Sequence, residues 1–286
     1  LPVPPLEEQR RIAAFLDYET ARIDELVHEQ QRLVELLTEQ KSQRIFEAVT
    51  KGIHPDSRLI ESNSPWFGLI PEHWNLVKLK RLWRVIDCKH TTAEFVADGY
   101  PLASIREVQG FYVELSAAKQ TTEADYLDLT QGGRKPRRGD IIFSRNATVG
   151  EAAIVATDEP FAMGQDVCLL RGQDNTSSSE FLLYQLRSHA VQAQLQQVMV
   201  GATFKRINVE DIKDCYIVVP PPTEQREIAG HLKAESAALD ALIASAHHAV
   251  RLLRERRSAL INAAVTGQLD LRNWHPSEQV EAAEVA

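Results

Sequence analysis

Cysteine is scarce in this chain. Cys88, Cys168 and Cys215 lie far apart and lack metal-ligand spacing, so neither a disulfide framework nor a zinc module is expected. A reduced, cytoplasmic compartment is the simple expectation. Long hydrophobic runs are missing as well: no stretch of 18 apolar residues occurs, so no membrane span is expected. No signal peptide opens the chain, and its start at Leu1 rather than Met suggests a piece of a longer protein. Nor is there an excess of basic charge. The formal net charge of -8 argues at first against a nucleic-acid partner. Net charge is an average, however, and the local field governs a binding face. The acids crowd the helical stretches and the tail, while the middle is near balance and holds the basic run Arg134-Lys135-Pro136-Arg137-Arg138.

Enzyme signatures are missing too. There is no Gly-x-x-x-x-Gly-Lys-Ser/Thr phosphate loop, which argues against ATP use within the chain. No Asn/Asp-Pro-Pro-Tyr/Phe tetrad or Gly-rich cofactor loop of the DNA amino-methyltransferase kind occurs; Pro220-Pro221-Pro222 is followed by Thr223, not an aromatic. Asp211-Ile212-Lys213 faintly resembles a nuclease carboxylate-x-lysine element but has no upstream acid partner. His247 and His248 are adjacent and face different sides of a helix, and His231 reads as structural. No catalytic residue or metal ligand is therefore nominated, and the chain reads as a non-enzyme. A nuclease or methyltransferase with a cryptic active site stays as the alternative.

What the chain does have is a repeat. Val3-Pro4-Pro5-Leu6-Glu7-Glu8-Gln9-Arg10-Arg11-Ile12-Ala13 returns as Val219-Pro220-Pro221-Pro222-Thr223-Glu224-Gln225-Arg226-Glu227-Ile228-Ala229. Each copy opens a long helical pattern, and each pattern closes on Ala-Val-Thr, at Ala48 and at Ala264. The first helix is expected from Glu7 to Thr50, with a seam of Ile12, Leu16, Ile23, Leu26, Leu33 and Leu37. The second is expected from Glu224 to Thr266 with Thr223 as N-cap, and a seam of Ile228, Leu232, Leu239, Leu242, Ala246, Leu253 and Leu260. Glu19 with Glu235, and Gln40 with Arg256, read as matching poor seam positions. Gly52 and Gly267 are the expected terminators. Helices on the order of 65 Å cannot bury such stripes alone, so antiparallel pairing with each other is expected.

Between them lie short strand patterns: residues 76–79, 141–144, 152–155, 167–170 and 216–219. Residues 179–199 read as one helix. The expected fold class is α+β: a mixed α/β domain flanked by two long helices forming an antiparallel coiled coil. The expected regions are residues 1–53 (first helix), 65–218 (the mixed domain), 219–269 (second helix) and 270–286 (a disordered Ala/Glu-rich tail).

These residues together resemble the specificity subunit of Type I restriction-modification systems. The Pro-Pro turn with Glu-Gln-Arg-x-Ile-Ala before each long helix carries the likeness. So do Ile70-Pro71-Glu72-His73-Trp74, Gly139-Asp140-Ile141-Ile142-Phe143-Ser144-Arg145 and Gly201-Ala202-Thr203 with Ile207-Asn208. The resemblance implies a non-catalytic subunit that reads one half of a split double-stranded DNA target and carries methyltransferase subunits and a motor-nuclease subunit. S-adenosylmethionine, ATP and Mg are then needed by those partners, and no cofactor by this chain. A full subunit of that family has two recognition domains and this chain has one. It is either the C-terminal half of a full subunit, the favoured reading, or a half subunit working as a homodimer.

Candidate DNA-contacting residues follow from chemistry. Cations on phosphates supply affinity, and base edges supply discrimination. Arg134, Lys135, Arg137 and Arg138 lie in a Gly- and Pro-marked loop and suit phosphates. Arg145 and Asn146 offer the bidentate groups that read guanine and adenine, although Arg145 could equally stabilise its own loop. Thr203, Lys205 and Arg206 form a third candidate group, and Lys89, His90 and Thr91 a fourth.

Overall fold

The computed structural model describes residues 3–174, 177–199 and 206–275. The first helix, α1, runs Leu6–Lys51 with Glu7 and Glu8 in its first turn, where they offset the helix dipole. Three strands follow: β1 Leu59–Glu61, β2 Leu69–Pro71 and β3 Asn75–Lys78. Next come β4 Trp83–Asp87, β5 Phe95–Val96, β6 Tyr100–Ala103, β7 Gln120–Thr121 and α2 Glu123–Leu129. Then follow β8 Ile141–Ser144, β9 Ala152–Ile154, β10 Ala162–Met163 and β11 Val167–Gly172. The chain ends on α3 Ser179–Arg187, α4 His189–Met199, α5 Val209–Asp214, β12 Tyr216–Val219 and α6 Pro222–Val265.

Two compact units emerge. The first contains residues 1–41 and 235–286, the second residues 42–234.

In the first unit α1 and α6 pair antiparallel. Lys41 Nζ lies 2.6 Å from Asp240 Oδ1, and Arg257 Nε lies 2.9 Å from Asp24 Oδ1. Both pairs of residue numbers add to 281, which fixes one register along the helices. The sequence repeat has an offset of 216, as in Glu8 to Glu224 and Ala48 to Ala264. That offset turns Lys41 into Arg257 and Asp240 into Asp24, so the two ion pairs are images of each other. The inward stripe consists of buried Ile23, Leu239, Ala246 and Val250 with half-buried Val27, Val34, Leu37, Ile243 and Leu253. Leu26, Leu33 and Leu242, expected in the seam, lie outside it at 46%, 41% and 54% exposure. Gln40 and Arg256 are also exposed. The pattern carries adjacent apolar pairs (Leu26-Val27, Leu33-Val34, Leu242-Ile243), and in each the second residue turns inward. Residues 270–275, expected in the tail, instead pack on α1. Trp274 stacks edge-on against Phe15 at 5.3 Å, and Arg11 donates to the Arg272 carbonyl at 2.9 Å. The rest of the expected tail, 276–286, lies outside the described residues.

The second unit is built on the four-stranded antiparallel sheet β4-β11-β8-β9. Its faces alternate as a pleat requires. Phe143, Cys168 and Leu170 turn to a core shared with α3 and α4, while Ile142, Val167 and Leu169 turn to a second cluster with Phe161 and Met163. Burying each such side chain contributes about 1.5–3 kcal/mol. A smaller sheet, β10-β6-β7-β5, carries α2. The helix expected over 179–199 is divided at Ser188, whose hydroxyl donates to the Gln185 carbonyl at 2.7 Å and whose backbone turns extended. This is the competition between a short hydroxyl side chain and a continuing helix.

The second copy of the repeat is seated in this unit. Gln225 is buried; its Nε2 donates to the Pro220 carbonyl at 2.9 Å, and its Oε1 accepts from the Ser178 N–H at 2.8 Å. His73 Nε2 lies 2.8 Å from Glu224 Oε2, and Ile228, Ala229 and Val49 are buried in the same core as Trp74. Thr223 is not the N-cap: Gln225 N–H donates to the Pro221 carbonyl, so Pro222 is the first helical residue, where a missing N–H costs nothing. The first copy has the same local latch, with Gln9 N–H donating to Pro5 and Gln9 Nε2 to Pro4 at 2.8 Å.

Candidate nucleic-acid interface

Four stretches of chain converge at one end of the main sheet. In the ladder Asp87 opposes Cys168, and Cys168 opposes Phe143. The segments leaving or entering at that level are therefore 88–94 after β4, 145–151 after β8 and 164–166 before β11. Segment 206–208 joins them through an Asn146–Arg206 bridge.

Arg145 ties these segments together. It is 5% exposed. Its backbone N–H donates to Asp166 at 2.8 Å, and its carbonyl accepts from Ile207 at 3.0 Å. Its guanidinium donates to the Ile207 carbonyl at 3.3 Å and holds the Asp87 carboxylate in a short contact. In this structure the Arg145 guanidinium makes the loop-stabilising contacts, one of the two roles open to it in sequence. Asn146 is partly exposed and donates to Asp166 Oδ1 at 3.0 Å, and Ala147 beside it has a φ of 54°, a left-handed conformation strained for a side-chain-bearing residue. Lys89 pairs with Asp128, while His90 and Thr91 are exposed. His90 Nε2 lies 3.4 Å from Asp87 Oδ2. Arg134 reaches this end as well, donating to the Asp87 carbonyl at 2.9 Å.

The rest of the basic run leads away. Lys135 is exposed, and its carbonyl accepts from Arg171 at 2.7 Å. The Arg137 side chain is exposed, while its N–H donates to Asp140. Arg138 forms a 2.7 Å ion pair with Asp158 at the opposite end of the sheet, in a cleft it shares with Ser178 and Ser179. That pair raises the Arg138 pKa and lowers that of Asp158. Thr203 and Lys205 lie outside the described residues. The structure thus brings Lys89, His90, Thr91, Arg134, Asn146 and Arg206 together around Arg145, and does not bring Arg138 to them.

With this geometry in place, the comparison with known families is decisive. The profile of the Type I restriction modification DNA specificity domain matches residues 71–245, more than half of the chain. The chain belongs to this family. A Type I restriction enzyme MjaVIII specificity subunit from Methanocaldococcus jannaschii is 26% identical over 96% of this chain and 63% of its own length. The EcoBI specificity subunit of Escherichia coli is 23% identical over 94% of this chain and 58% of its own. The chain thus spans about three fifths of the curated relatives it matches. Two solved structures share the fold. One is a chain from a study of complex assembly and conformational transition in a type I R-M system, with TM-score 0.70, 21% identity, and coverage of 92% of this chain and 60% of that one. The other is the HsdS subunit of Thermoanaerobacter tengcongensis, with TM-score 0.53, 21% identity, and coverage of 94% and 60%.

One cluster in this specificity domain carried no sequence signal. Asp87, Cys88 and His90 place a carboxylate, a thiol and an imidazole nitrogen within 4.8 Å of one another. Their spacing of one and two residues on a strand end matches no known metal signature. The chemistry there opposes a cation: Arg145 already neutralises Asp87, and burial first, then the Asp87 charge, push the Cys88 thiol up to about 11. Asp166 and Asp87, which hold the loops, were also missed, since an acid that positions a neighbour looks like any other acid in sequence.

Proposed function

We propose that this chain reads one half of a split double-stranded DNA target and serves as the scaffold for methyltransferase and motor-nuclease subunits, without catalytic residues or a cofactor of its own. The observation that carries this reading is the convergence of four segments around Arg145 at one end of a sheet, within a region that matches the DNA specificity family. Lys89, His90, Thr91, Asn146 and Arg206 are the proposed groove and phosphate contacts there. Arg134, Lys135 and Arg137 extend the phosphate track, with Arg138 in reserve behind Asp158. Thr203 and Lys205 remain proposed contacts by sequence. The cytoplasm is the proposed compartment; no helix among the described residues is long and apolar enough to cross a membrane.

The partner surface has its own support. Leu26, Leu36, Leu242 and Leu252 are exposed at 46–54%. The offset of 216 maps Leu26 onto Leu242 and Leu36 onto Leu252. At 100° per residue all four fall on the same side of the α1–α6 seam, so the pair presents one apolar face with internal two-fold symmetry. Such a face suits two equivalent partners. The latch at Pro4–Gln9 likewise supports a seat for a second recognition region, supplied by preceding sequence or by another copy.

The test is binding of the purified chain to random duplex pools by gel shift. Enrichment of a short motif is expected. Product formed by the chain alone with magnesium or with S-adenosylmethionine would favour the alternative of an enzyme with a cryptic active site.

A further inference from the structure

Strand β5 begins four residues after Thr91 and, among the described residues, is an edge strand paired only with β7. Its first residue, Phe95, is 52% exposed. A half-exposed aromatic is unusual on a short edge strand, where charge commonly blunts further pairing. Lys119 Nζ lies 4.4 Å from the Phe95 ring centroid. Together with Leu102, Ser104 and Arg106 these two residues line a recess of about 280 Å³. Among the described residues no carboxylate lines it. Arg106 is 68% exposed and lies 3.9 Å from Glu107, which is itself engaged by the Ser104 N–H at 2.8 Å.

We propose that this recess receives a single unstacked DNA base, stacked on Phe95, with its flanking phosphates on Lys119 and Arg106. The proposal rests on the DNA-reading function above and adds a site to it. Three features point to this ligand rather than to a protein or a small metabolite. At about 280 Å³ the recess lies at the lower end of small-molecule pocket sizes, on the order of 300–1,000 Å³, and has room for one ring system. Its walls combine one aromatic face with two cations, the combination that tracks nucleic-acid strands whose bases leave the stack. Phe95 also lies on the same stretch of chain as Lys89, His90 and Thr91, four residues beyond the last of them. Proteins that deform DNA commonly place an apolar side chain at an opened base step.

The experiment uses the whole chain and a duplex enriched from a random pool, with 2-aminopurine placed at successive positions. Binding is expected to raise fluorescence at one position, the mark of a base leaving its stack. Phe95→Ala should abolish that rise and weaken binding roughly 5- to 150-fold, whereas Phe95→Trp should retain both. Because Phe95 is half in solvent, its removal should leave the circular dichroism unchanged. Lys119→Ala and Arg106→Ala should each reduce the salt slope of binding by about one ion while the fluorescence rise persists. Duplex binding with no unstacked position, or with Phe95→Ala indistinguishable from the parent chain, would overturn the recess and leave the DNA-reading function intact. Failure to bind any duplex would overturn both.

Discussion

Arg145 lies beneath the candidate interface, with its guanidinium spent on Asp87 and on the Ile207 carbonyl. Arg145→Ala should therefore destabilise the fold by about 2 kcal/mol, since Asp87 keeps some solvent while losing a charge-assisted partner. It should also weaken binding to all duplexes alike, not at one base pair. Urea unfolding and a panel of single-base variants check the two halves of that expectation. Cys88 supplies a second prediction. Its thiol ionises near 9.0 in an unfolded chain and is held up to about 11 here by burial. Between those values the unfolded chain has released a proton that the folded chain retains, so stability is intact below pH 9 and falls as pH rises toward 11. The urea midpoint should drop across that window, and drop less in Cys88→Ala. The sequence could offer the arginine and the asparagine but not their depth. Depth is set by Asp87, at the end of β4 and 58 residues from Arg145, and by Asp166, in the turn before β11 and 20 residues from Asn146.

At the scale of elements, both long helices, their terminating glycines and most core strands were legible, because periodicity and positive-φ stops are local signals. Gly52 at φ 78° and Gly267 at φ 74° end α1 and α6 as expected. The inward stripe was not legible. Two parallel apolar rows run along each helix, and local pattern cannot say which row meets the other helix and which meets solvent. The break at Ser188 was hidden for a similar reason, since apolar spacing continues across it. Val27→Asp with Ile243→Asp should lower the melting temperature sharply by placing charges in the seam. Leu26→Asp with Leu242→Asp should leave stability within about 0.5 kcal/mol and abolish capture of methyltransferase partners. Thermal circular dichroism and co-purification separate the two outcomes.

Across the whole molecule, the two copies of the turn carry the same hydrogen bonds in different settings. Gln225 is buried and bonds Ser178 besides its own latch, whereas Gln9 is exposed. Gln225→Ala should cost about 1–3 kcal/mol through the unpaired Ser178 N–H. Gln9→Ala should cost a few tenths on this chain, and more only when a second recognition region occupies that seat. Chemical denaturation of both variants measures the difference. The paired ion contacts between α1 and α6 have a further consequence. Lys41–Asp240 and Asp24–Arg257 exchange under the same shift of 216 that relates the sequences. A slide of one helix by a single turn would therefore unhook both clasps simultaneously, with no intermediate notch in which one is kept. The pairing behaves like a vernier with one setting, and evolution can lengthen it only by changing both halves in concert.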